Sequence, residues 1–80
     1  MSDDEHLQAE APKGEVLWTL RKNDIRIHAE LRSHGEAGFE MLLFKNGERM
    51  FNQRHLSHSA AMDVAIECRR ELEVNGWSSA

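Results

Sequence analysis

Residues 16–56 alternate apolar and polar side chains with a period of two, and residues 59–77 switch to the longer period of an amphipathic helix. Val16, Trp18 and Leu20 alternate with Leu17, Thr19 and Arg21. Ile25, Ile27, Ala29 and Leu31 then alternate with Arg26, His28, Glu30 and Arg32. Between the two runs, Asn23-Asp24 forms a two-residue turn tolerant of positive φ. Pairing Lys22 with Ile25 sets Leu20 opposite Ile27, Trp18 opposite Ala29 and Val16 opposite Leu31, all on one face. A slip by one residue would mix the faces.

A second hairpin turns at Asn46-Gly47, the preferred pair for a type I′ turn, which is expected to set Phe44 opposite Arg49, Leu43 opposite Met50, Leu42 opposite Phe51 and Met41 opposite Asn52. Both of its faces are then partly apolar. One stripe holds Phe39, Met41, Leu43 and Met50, the other Leu42, Phe44 and Phe51, and the pattern leaves open which is inward. The two glycines within Ser33–Gly38 suit a link between the hairpins.

At about 100° per residue, Ala61, Val64, Ala65, Cys68 and Leu72 fall on one side of the helix and Asp63, Glu67 and Arg70 on the other. Ser57 or Ser59 can cap its start. Gly76 at the left-handed position past its end makes Asn75 the C-cap and brings Trp77 against Leu72 in a Schellman motif. The fold class predicted is α+β: a four-stranded antiparallel β-meander of two hairpins, packed on one face by a single C-terminal α-helix, in the order β-β-β-β-α. It forms one domain over 15–78, its small helical side chains facing bulkier strand residues.

Composition changes this picture at the N-terminus. The chain of 80 residues has a formal charge of −4. Asp3, Asp4, Glu5, Glu10 and Glu15 against Lys13 account for all of it, so acid and base balance over 16–80. Residues 1–14 lack a hydrophobic period and contain Pro12, and are expected to be a disordered acidic tail. That tail is expected to be a solubilising leader, or else an acidic arm that repels nucleic acid or covers a basic surface of the same chain. A single cysteine rules out an internal disulfide framework. With neither a long apolar run nor a signal-peptide pattern, the expected setting is cytoplasmic, with no membrane partner.

The candidate chemistry is sparse. His55-x-x-His58, His28, His34 and Cys68 lack the closely spaced cysteine pairs of a structural zinc site, and Cys68 belongs to the packing face. No catalytic residue, cofactor, metal or small-molecule substrate is expected, and the chain is read as a non-enzymatic binding module. The first reading is protein–protein contact, with a partner or in a homodimer, through a free sheet face or edge. Surplus apolar area at Leu42, Phe44, Phe51, Ile66 and Val74 carries it.

The alternative is nucleic-acid binding by the outer sheet face, where Arg21, Arg26, His28, Arg32 and Arg49 supply cations and Phe44 and Phe51 supply rings for stacking. A small antiparallel meander followed by one packing helix is similar in layout to the sheet-reading DNA-binding domains of plant ethylene-response factors and of phage-type integrase arms. The resemblance covers the order of elements over residues 25–77, and it implies a sheet face laid against DNA.

Overall fold

Strands form where the alternation is cleanest. The computed structural model describes residues 14–80 and contains β1 (Glu15–Lys22), β2 (Ile25–Ser33), β3 (Phe39–Lys45), β4 (Glu48–His55), helix α1 (His58–Val74) and a short β5 (Ser78–Ser79). The expected tail lies almost wholly outside the described residues. The four long strands are an antiparallel meander with one helix after it, the α+β arrangement the periodicity predicts. Among the described residues, no helix is long and apolar enough to cross a membrane.

The sheet order is β4-β3-β2-β1-β5. Asn23 takes φ 57°, and Asn46 and Gly47 take 50° and 89°, so both two-residue turns form where side chains tolerant of positive φ occur. Lys22 pairs with Ile25, Leu20 with Ile27 and Trp18 with Ala29, as the turn dictates. One layer of core follows. Trp18, Leu20, Ile27 and Ala29 pack beneath the second half of α1 with Cys68, Leu72 and Trp77. Leu31 and Met41 pack against Ala61 and Ala65 of its first half. The Trp18 Nε1–H donates to the Ala65 carbonyl at 3.0 Å, which pins the helix to the sheet at its closest approach.

Both helix ends close as their residues suggest. Ser57 is the N-cap, its hydroxyl accepting from the Ala60 N–H at 3.1 Å. At the other end, Trp77 N–H donates to the Leu72 carbonyl at 3.0 Å and Gly76 N–H to Glu73 at 3.1 Å, with Gly76 at φ 96°. That is the Schellman pattern with Trp77 folded against Leu72.

Three features depart from the expected scheme. A bulge between Val16 and Trp18 pairs Val16 with Glu30 instead of Leu31, so Val16 is 56% exposed and Leu17 packs against the core in its place. A second bulge at Met50 shifts β4, pairing Leu43 with Phe51 and Leu42 with Asn52 instead of Met50 and Phe51. Finally, the reversal at Gly76 throws the chain back along β1, where Ser78 and Ser79 add a fifth strand opposite Arg21 and Leu20.

Candidate functional site

The helix covers one side of the sheet, and the pairing register assigns every outward residue to the other. Arg21 stands directly opposite Arg26 across β1 and β2. In the next row His28 faces Phe44, and Phe44 faces Arg49. Glu30, Leu42 and Asn52 follow, and then Arg32, Glu40 and Arg54. The cations Arg21, Arg26, Arg32, Arg49 and Arg54 thus share this face with the carboxylates Glu30 and Glu40. The helix carries the acidic surplus, with Asp63, Glu67, Glu71 and Glu73 against Arg69 and Arg70.

Part of the face is internally satisfied. Glu30 accepts from Arg32 at 3.2 Å and lies 3.0 Å from His28 Nε2. Glu40 is buried, with His34 Nε2 at 2.8 Å from one oxygen and Asn52 Nδ2 donating to the other at 2.8 Å. Burial alone would raise its pKa. The hydrogen bonds from His34 and Asn52, with the charges of His34 and Arg54, outweigh burial and hold it below its ordinary value.

The other part is unpaired. Among the described residues, Arg21, Arg26, Arg49 and Arg54 make no ion pair, and the Arg21 Nε–H merely reaches the Asn23 carbonyl at 3.4 Å. Like charges placed directly opposite in a sheet repel, so Arg21 beside Arg26 is an arrangement an anion would relieve. A shallow groove runs between the two turns, lined by Arg21, Asn23, Asp24, Ile25, Arg26, His28, Asn46 and Gly47, so the Asp24 carboxylate shares it with the two arginines. Its floor is fixed, because Arg26 N–H donates to the Asn46 side chain at 2.9 Å and Asn46 N–H to the Arg26 carbonyl at 2.8 Å. Beside it the His28 and Phe44 rings stack, 4.8 Å between centroids and 6° from parallel, and the Arg32 guanidinium sits 5.9 Å from the Phe44 centroid.

The two residue sets named from the sequence fare differently. Arg21, Arg26, His28, Arg32 and Arg49 all come together on the outer face. Leu42, Phe44, Phe51, Ile66 and Val74 do not form one patch. Leu42 is fully buried, and Phe44 lies half-buried in its stack with His28. The Met50 bulge carries Phe51 to the helix side of β4, where it is 40% exposed, and Ile66 and Val74 project from the outward side of α1. The polar network of Glu40, His34 and Asn52 was not legible. Its one signal was a carboxylate set within the apolar run Phe39–Leu43.

Cys68 is half-buried, and burial, with Glu71 and Glu67 nearby, pushes its thiol above the ordinary value. Few thiolates form under those conditions. Among the described residues, no group of three or more His, Cys, Asp or Glu side chains could hold a metal ion. Comparison with protein families, curated proteins and solved structures finds no match to this chain.

Proposed function

We propose that this domain is a non-catalytic binding module whose outer sheet face takes an anionic polymer, a nucleic acid with accessible phosphates and bases. The observation that carries this reading is Arg21 opposite Arg26 without a carboxylate partner among the described residues, next to a row holding His28, Phe44 and Arg49. Arginines ranged along a flat sheet neutralise phosphates, and a ring already stacked on a histidine offers a platform for a base. A cytoplasmic setting, where nucleic acid is at hand, fits. The chain's net negative charge arises outside residues 16–80, and on the outer face five arginines stand against the two carboxylates Glu30 and Glu40.

The test is fluorescence anisotropy of labelled single-stranded RNA and DNA, titrated at increasing salt. Affinity should fall steeply with ionic strength, and Arg21→Ala with Arg26→Ala should reduce the slope of log K against log salt by about 1–2, close to one per lost phosphate contact. Absence of binding at low salt, or binding unaffected by the two substitutions, overturns the reading.

A second reading, protein contact through the sheet edge, has one observation in its favour. All of β4 up to Arg54 is exposed, its outer edge is unpaired among the described residues, and Met50, Phe51 and Leu56, the last 95% exposed, lie along or just beyond it. Such an edge can accept a further strand, from a partner or from a second copy. Sedimentation of the intact chain and of Phe51→Glu decides whether copies associate there. A dimer dissociated by the substitution supports this reading, and a monomer at high concentration removes self-association.

A further inference from the structure

We propose that the groove between the two turns reads a guanine base of a single-stranded nucleic acid, with Arg26 donating to its O6 and N7 and Asp24 accepting from its N1–H and N2–H. The inference rests on the binding reading given above and names the base that this surface selects.

The groove is not a plain anion seat. Asp24 lines it together with Arg21 and Arg26, and a carboxylate there repels a bare phosphate set between the arginines. Yet among the described residues Asp24 makes no ion pair with either of them. Carboxylate and guanidiniums are thus all left for a ligand that offers hydrogen-bond donors as well as acceptors. Two residues of chain span at most about 7 Å, so Asp24 and Arg26 can reach adjacent edges of one flat ring system. The frame is set before a ligand arrives, because the two hydrogen bonds between Arg26 and Asn46 hold the second turn against β2. His28 lines the same groove, its ring fixed by the stack on Phe44, and gives the base a wall.

The pattern of donors and acceptors singles out guanine. Its O6 and N7 form a two-acceptor site for arginine, the commonest base-specific contact, and its N1–H and N2–H form a two-donor site for a carboxylate. Cytosine offers a carboxylate only its N4 amine, adenine only its N6 amine and uracil one ring N–H, so each leaves part of Asp24 unused. Adenine and uracil also lack two neighbouring acceptors for the guanidinium. Base pairing occupies the N1–H and N2–H edge in a duplex, so the target is single-stranded at this point. Arg21 also borders the adjoining hollow beside Lys22 and Ser79, and is left to hold a flanking phosphate.

The test is fluorescence anisotropy of the full chain with labelled uridine octamers, either unsubstituted or carrying one central guanosine, inosine, 7-deazaguanosine, adenosine or cytidine. The guanosine octamer should bind at least about fivefold more tightly than the uridine, adenosine and cytidine ones, the lower end for one good bidentate pair. Inosine, which lacks the N2 amine, and 7-deazaguanosine, which lacks N7, should each forfeit most of that gain. Asp24 and Arg26 are both exposed, so their substitution leaves the core intact. Asp24→Asn should erase the difference between guanosine and inosine. Arg26→Lys, which keeps the charge and loses the planar fork, should reduce that between guanosine and 7-deazaguanosine, and Arg70→Ala on the helix should change neither. A guanosine octamer bound no more tightly than the others, or a guanosine-to-inosine ratio unchanged by Asp24→Asn, overturns the inference. Equal, salt-sensitive affinities for all octamers overturn the choice of base alone and leave the proposed function standing, whereas failure of every octamer to bind at low salt overturns both.

Discussion

Truncating Trp18 probes the contact that joins helix to sheet. Its side chain is buried between Leu20, Ala29 and α1, with the indole N–H on the Ala65 carbonyl. An indole of this kind buries about 200 Å² of largely apolar surface, worth roughly 5 kcal/mol at about 25 cal/mol per Å², and the hydrogen bond adds about 1 kcal/mol. Relaxation of the site recovers part of this, so Trp18→Ala should cost about 3–5 kcal/mol. A domain spanning 15–78 has only about 3–10 kcal/mol in all, so the variant should be partly or wholly unfolded at room temperature. Trp18→Phe keeps most of the apolar area and removes the donor, for a loss of about 1–2 kcal/mol. With a slope of about 1 kcal/mol per molar urea, its midpoint should fall by about 1–2 M. Urea titrations followed by far-UV circular dichroism and by fluorescence of Trp77, the remaining indole in both variants, read both effects. A Trp18→Phe midpoint equal to that of the parent, or a Trp18→Ala loss under about 1 kcal/mol, would refute the placement of the indole under the helix.

Other predictions concern pH and the helix end. Glu40 is held below its ordinary value of 4.5 in the fold, so it contributes stability that is complete above that value and lost as pH falls through the lower, folded one. Thermal melts from pH 7 to pH 3 should show this decline, and Glu40→Gln should flatten it while lowering the neutral-pH midpoint. Replacing Gly76 by valine meets only ordinary contact with the Lys22 side chain, 3.6 Å away, and leaves backbone strain at φ 96° as the cause of harm. The loss should be about 1–2 kcal/mol, read by urea denaturation, and an unchanged midpoint would show that the helix ends elsewhere.

Legibility in the sequence tracked how sharply each residue's neighbours discriminate between faces. The first hairpin could be read because Leu20, Ile27 and Ala29 are each flanked by polar residues, so one register alone buries them, and Trp18 follows in that register. The helix could be read because Ser57, Gly76 and Trp77 each mark a backbone requirement at its ends. Both bulges fall where adjacent residues are apolar, at Val16-Leu17-Trp18 and at Met50-Phe51, and there a shift of one costs little burial and leaves no pattern. The two serines of β5 carry no signal, since their strand follows from the reversal at Gly76. The outer arginines were visible as polar residues alternating with the core, whereas the Glu40 network depended on the Met50 bulge. The unshifted register puts Asn52 opposite Met41 on the helix side, and the bulge puts it opposite Leu42, within reach of Glu40.

The most direct test of the outer face as the binding surface is an NMR titration of the isotope-labelled full chain with a short single-stranded RNA at low salt. The largest shifts should fall on the arginine Nε–H groups of Arg21, Arg26 and Arg49 and on the rings of His28 and Phe44, while Arg69, Arg70 and the outward residues of α1 stay unmoved. Shifts concentrated on the helix, or along the edge at Met50, Phe51 and Leu56 with the outer arginines silent, would contradict it.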